Sequence, residues 1–121
     1  IWSCRTPYFA SIGLPIIEIV PKKQFFDFQA KYDPLFSEEI CPARISPELT
    51  KKAQELAIKS HQALSCRTFS RTDMIIHDNQ IYVLETNTLP GMTSASLLPK
   101  AAKTHGWSFP EFLDRVIQIS L

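Results

Sequence analysis

Glycine is scarce in this chain. Only Gly13, Gly91 and Gly106 occur in 121 residues, and no two of them are close enough to form a glycine-rich phosphate loop. Long apolar runs are absent too, so no segment can span a bilayer as a helix. No basic-then-apolar stretch opens the chain, and no secretory signal is expected there. Charge of one sign is also lacking. Thirteen Lys and Arg stand against twelve Asp and Glu, a net charge of +1. That removes the electrostatic case for a nucleic-acid or membrane partner. Cysteine is limited to Cys4, Cys41 and Cys66. The number is odd and the spacing is unlike a metal site, so free thiols in a reducing cytoplasm are expected rather than a disulfide. There is no internal repeat and no low-complexity block.

What is present suits one small soluble domain. The apolar fraction is 45%, and 121 residues can bury a modest core. Because the chain begins at Ile1 rather than Met, a fragment of a longer protein is expected. Residues Ile16 to Val20 read as a strand ending at Pro21. A turn follows at Lys22 and Lys23, then a short aromatic strand, Phe25 to Phe28. Gln29 to Pro42 reads as a long loop, of the kind that is often functional. Ser46-Pro47 starts a helix, with Ser as N-cap and Pro in the first turn. Its apolar face is Leu49, Ala53, Leu56, Ala57, Ser60, Ala63 and Leu64. A hairpin over Arg71 to Asn87 should turn at Asp78-Asn79. Leu97 to His105 reads as a helix closed by Gly106. Ser108-Phe109-Pro110-Glu111 opens the last helix with a capping box, and Phe112, Leu113, Val116 and Ile117 form its buried face. Separated strands and helices of this kind predict an α+β fold, a mostly antiparallel sheet with flanking helices.

The chemistry concentrates near one end of the hairpin. Glu85 and Asn87 are two apart on a strand and so share a face. The hairpin would bring Asp73 beside Glu85, and Arg71 is two residues from Asp73. Two carboxylates and an amide oxygen suit a hard cation such as Mg²⁺. Spacing alone allows a plainer account, in which these are exposed polar residues at strand ends and Arg71 is a salt-bridge partner. His61, His77 and His105 match no metal pattern, so surface or capping roles are expected for them. Glu18 receives no catalytic role.

Arg71-Thr72-Asp73, the run from Leu84 to Thr93 (LETNTLPGMT) and Ser96-Leu97 together resemble the C-terminal part of the D-alanine–D-alanine ligases, of the ATP-grasp superfamily. Phe25 to Phe28, Ala30-Lys31-Tyr32 and Cys41-Pro42-Ala43 fit in order and spacing. The resemblance spans roughly Leu14 to Leu121, and its Asn-Thr-Leu-Pro-Gly-Met-Thr run is highly specific. It implies that residues 1–121 form a C-terminal ATP-grasp domain, with 29–42 as a lid loop and the central and N-terminal domains as missing partners.

The resemblance also implies site roles. Asp73, Glu85 and Asn87 would hold two Mg²⁺ ions, with Mn²⁺ as a substitute, against the phosphates of ATP. Arg71 would stabilise the transferring phosphoryl group and the tetrahedral adduct. Lys31 would approach the γ-phosphate, and Tyr32 would join a hydrogen-bond network as the lid closes. The backbone at Gly91 and Met92 would stabilise an oxyanion. Ser96 and the N–H of Leu97 would bind the carboxylate of a second D-alanine. The implied enzyme is cytoplasmic and bacterial, makes D-Ala-D-Ala for the cell wall and allows a homodimer. The 121-residue chain alone should be inactive. The alternatives are a D-Ala-D-Lac or D-Ala-D-Ser ligase, or a catalytically silent structural fragment.

Overall fold

The computed structural model describes residues 11–21 and 37–121. Strand β1, Glu18–Pro21, pairs antiparallel with β2, Ser37–Ile40. Helix α1 covers Pro47–Ala63. Strands β3, Arg71–His77, and β4, Gln80–Asn87, form a second antiparallel pair. Helices α2, Leu97–His105, and α3, Phe109–Ser120, complete the chain. The class is α+β, with antiparallel strands and flanking helices. Among the described residues the strands form two separate two-stranded sheets.

Strand β2 corrects the expected loop over Gln29 to Pro42. Its sequence, Ser-Glu-Glu-Ile, carries no strand pattern, and pairing with the edge of β1 decides its conformation. Arg44 pins this sheet. Its Nε and Nη2 donate to the two carboxylate oxygens of Glu18 at 3.0 and 2.9 Å, and its backbone N–H donates at 3.1 Å. The Arg44 side-chain bonds, then its backbone N–H, hold the Glu18 carboxyl below the usual range. Glu39 of β2 reaches Lys100 of α2 as an ion pair. The expected strand at Phe25 to Phe28, the turn before it and the first part of the loop lie outside the described residues.

Helix α1 starts as expected. The Ser46 hydroxyl accepts from the N–H of Leu49 at 3.2 Å, and Pro47 occupies the first turn. Ala53 and Ala57 are buried, while Leu49, Leu56 and Ser60 are half-buried. Ala63 and Leu64 were expected on that face but are exposed, because the helix ends there and Leu64 is its C-cap. His61 takes the buried place instead, fully enclosed and in four-residue phase with Ala53 and Ala57. The expected surface or capping role for His61 is therefore corrected.

The β3–β4 hairpin turns at Asp78 and Asn79, as expected, with φ of 47° and 60°. Two consecutive positive φ values mark the mirror-image turn that matches the twist of the strands. The core gathers Leu14, Leu98, Ala101, Ala102 and Phe112, with Phe69, Met92, Trp107 and Val116 packed around it. On α3, Ile117 is 58% exposed, contrary to expectation, and Ile119 packs on the core instead. At 100° per residue, Ile117 lies roughly 140° around the helix from Phe112, and Ile119 only about 20°.

The capping box of α3 is present in full. The Ser108 hydroxyl accepts from the N–H of Glu111, and the Glu111 carboxylate accepts from the N–H of Ser108 at 2.7 Å. Its hydrogen bonds from the Ser108 hydroxyl, then from the Ser108 backbone, hold the Glu111 carboxyl below its ordinary 4.5. A lowered carboxyl pKa contributes stability that is complete above the ordinary value and is lost as pH falls through the lowered one. Ser108→Ala should therefore lower the melting temperature by a few degrees at pH 7. The gap should narrow below pH 4.5, which melting curves at stepped pH can check. A gap independent of pH would exclude the carboxylate's part.

Candidate functional site

The antiparallel register builds one polar face at the end of the β3–β4 hairpin that lies away from its turn. Arg71 pairs with Asn87, and Asp73 pairs with Glu85. Alternation along each strand then puts all four side chains on the same face. The opposite face carries Thr72 and Thr86, whose hydroxyls meet at 3.2 Å and hold the register there. Beyond Asp73 the ladder shifts, since Met74 pairs with Val83 rather than Leu84. Leu84 is the extra residue of a β-bulge immediately before Glu85.

Within the polar face, Arg71 grips Asp73 in a two-pronged pair, Nε to Oδ1 at 2.7 Å and Nη2 to Oδ2 at 3.0 Å. Only 19% and 29% of the two side chains is exposed, so solvent screens this pair less than one on an open surface. Asn87 Oδ1 accepts from the N–H of Leu89 at 2.9 Å, which bends the chain into the Pro90-Gly91 turn. Two carboxylates and an amide carbonyl form a hard oxygen set, which fits a Mg²⁺-type cation. Among the described residues no group of three or more His, Cys, Asp or Glu could hold a metal.

The turn after β4 leads to the start of α2. Pro90 is buried and Met92 packs against the core. At Gly91 any Cβ would stand 2.8 Å from Ser96 Oγ, so only glycine leaves room for that hydroxyl. Ser96 Oγ accepts from the N–H of Thr93 at 3.1 Å and lies 2.8 Å from Thr93 Oγ1. Ser96 occupies the N-cap position of α2 but makes no side-chain cap bond to that helix. Its hydroxyl thus ties the turn to the start of α2. Lys31 and Tyr32 lie outside the described residues.

The model of the D-ala D-ala ligase C-terminus family matches residues 10–118. The chain belongs to this family. A D-alanine–D-alanine ligase of Syntrophobacter fumaroxidans is 57% identical over 111 residues, covering 90% of this chain and 36% of the relative. The crystal structure of the Bacillus anthracis D-alanine–D-alanine ligase complexed with ATP superimposes with a TM-score of 0.74 at 41% identity, over 88% of this chain and 35% of that one. The VanG D-Ala:D-Ser ligase of Enterococcus faecalis superimposes with a TM-score of 0.73 at 37% identity, over 89% and 32%. The chain thus spans about a third of the length of these ligases.

Two features of this ligase C-terminal region escaped sequence reasoning. Thr93 holds Ser96, yet nothing in the spacing marks it beyond its place in the motif. The bulge at Leu84 has no signal either, since Leu continues the apolar run. His61 did leave one, its four-residue phase with Ala53 and Ala57. The pairing of Arg71 with Asp73 follows from their spacing on a strand.

Proposed function

We propose that this chain is the C-terminal part of an ATP-dependent D-alanine–D-alanine ligase and forms one wall of its active site. One juxtaposition carries the reading: Arg71, Asp73, Glu85 and Asn87 in register on a single hairpin face. The complete enzyme joins two D-alanines through an acyl phosphate and releases ADP, and its product serves peptidoglycan synthesis in the bacterial cytoplasm. No helix among the described residues is long and apolar enough to cross a membrane.

Asp73, Glu85 and Asn87 would hold the Mg²⁺, two ions in this reading. When bound, the cations offset charge on the phosphates and hold them in place. Arg71, held by Asp73, presents a planar and permanently charged fork suited to phosphoryl oxygens. The backbone at Gly91 and Met92 serves the oxyanion of the tetrahedral adduct. Ser96 has one hydroxyl proton to donate, and with the N–H of Leu97 it binds the second substrate's carboxylate. The dipole of a helix N-terminus favours that anion. Lys31 and Tyr32 remain the lid residues of this reading, although β2 removes residues 37–40 from the expected loop.

The hairpin leaves Ile75, Tyr82, Val83 and Leu84 exposed. Apolar surface of this kind commonly meets a partner, and the reading assigns it to the remaining two thirds of the ligase. The VanG likeness favours one second reading, a D-Ala:D-Ser ligase. The test is the full-length protein with ATP, Mg²⁺ and an equal mixture of D-alanine and D-serine. D-Ala-D-Ala with ADP release is expected. D-Ala-D-Ser as the main product would favour the second reading, and no dipeptide at all would sink both.

A further inference from the structure

We propose that the buried His61–Ser70 pair positions the strand that carries Arg71 and Asp73. His61 Nδ1 and Ser70 Oγ lie 2.7 Å apart, and both residues are fully enclosed. His61 is in the last turn of α1, and Ser70 is the residue immediately before β3. His61 also holds the connection between them, since its carbonyl accepts the N–H of Cys66 at 3.0 Å. One residue therefore grips both the start and the end of the chain that leads into Arg71. Farther along, Thr68 Oγ1 meets Ser120 Oγ of α3 at 3.3 Å.

A pair of apolar side chains could fill the same space but would tolerate sliding. A buried polar pair must meet its partner, which permits only one register of helix against strand. Arg71 follows Ser70 directly, so a shift at Ser70 carries over to the Arg71–Asp73 fork and, through the ladder, to Glu85 and Asn87. His61 and Ser70 are fully enclosed and lie outside the paired ladder that carries the site, which makes them positioning residues.

The inference rests on the site reading given under Proposed function, and the experiment separates the two. In the full-length ligase, Ser70→Ala and His61→Leu should each lower kcat about tenfold, as a small misplacement of reacting groups does. KM for ATP and D-alanine should change less than about threefold, because the lost alignment matters most in the transition state. The double variant should be no slower than the slower single variant. His61→Asn, which keeps a polar atom near the place of Nδ1, should recover most of the rate. If His61→Leu does not fold, the smaller change Ser70→Ala decides alone. A lower melting temperature with unchanged kcat in Ser70→Ala would reduce the pair to a structural contact and overturn the inference. Glu85→Gln serves as the control. If that variant turns over normally, the site reading fails, whatever Ser70→Ala does.

Discussion

Glu85→Gln in the full-length ligase is expected to abolish turnover while the protein stays folded. Glu85 faces Asp73 across the hairpin at the polar end of the ladder. The proposed donor set holds only two carboxylates, so the substitution removes half of its charge. Hard cations depend on ligand charge, and an amide in the same place binds them far more weakly. Cations at a phosphoryl-transfer site contribute several kcal/mol of transition-state stabilisation. Losing most of that amounts to about a thousandfold or more in kcat. Stability should barely change, because Glu85 is an exposed strand residue replaced by its isostere. Raising Mg²⁺ should restore part of the rate, since a weakened site can be refilled by mass action. Steady-state rates across a Mg²⁺ series, with a melting curve, test this. Near-normal turnover at ordinary Mg²⁺ would remove Glu85 from the ligand set.

Ser96→Ala carries the second large expectation, a selective loss at the second substrate. One hydrogen bond to a charged group is worth about 1.5–3 kcal/mol, or roughly ten- to a hundredfold in affinity. KM for the second D-alanine should rise by that factor, with ATP and the first D-alanine much less affected. The competing account is narrower than the sequence alone suggests. Ser96 makes no side-chain bond to its own helix, so loss of a helix cap is not at issue. What remains is its grip on Thr93, through the 3.1 Å bond from the Thr93 N–H and the 2.8 Å contact with its hydroxyl. If that grip is all Ser96 does, alanine loosens the turn, lowers the melting temperature and leaves the substrate constants alone. Kinetics that separate the two D-alanine sites, read beside a melting curve, distinguish the two accounts.

Much of this protein is legible in its sequence because local chemistry dictates it. Ser46-Pro47 and the Ser108–Glu111 box start helices through bonds made within four residues. Asp78-Asn79 turns the hairpin because both residues tolerate positive φ at little cost. With the turn set, counting alone would pair Asp73 with Leu84; the β-bulge at Leu84 moves Glu85 opposite Asp73, and strand alternation from there puts Arg71, Asp73, Glu85 and Asn87 on one face. The specific run from Asn87 to Thr93 points to the family by itself. Tertiary structure decided the rest. Ser37 to Ile40 became a strand only because β1 offered an edge to pair with. His61 is buried where Ser70, nine residues away, meets its Nδ1. Ser96 turned from its helix toward Thr93 because Gly91 has no Cβ to block it. Each of these depends on a partner that local propensity cannot specify, because the free energy that selects it is released only when the two segments meet.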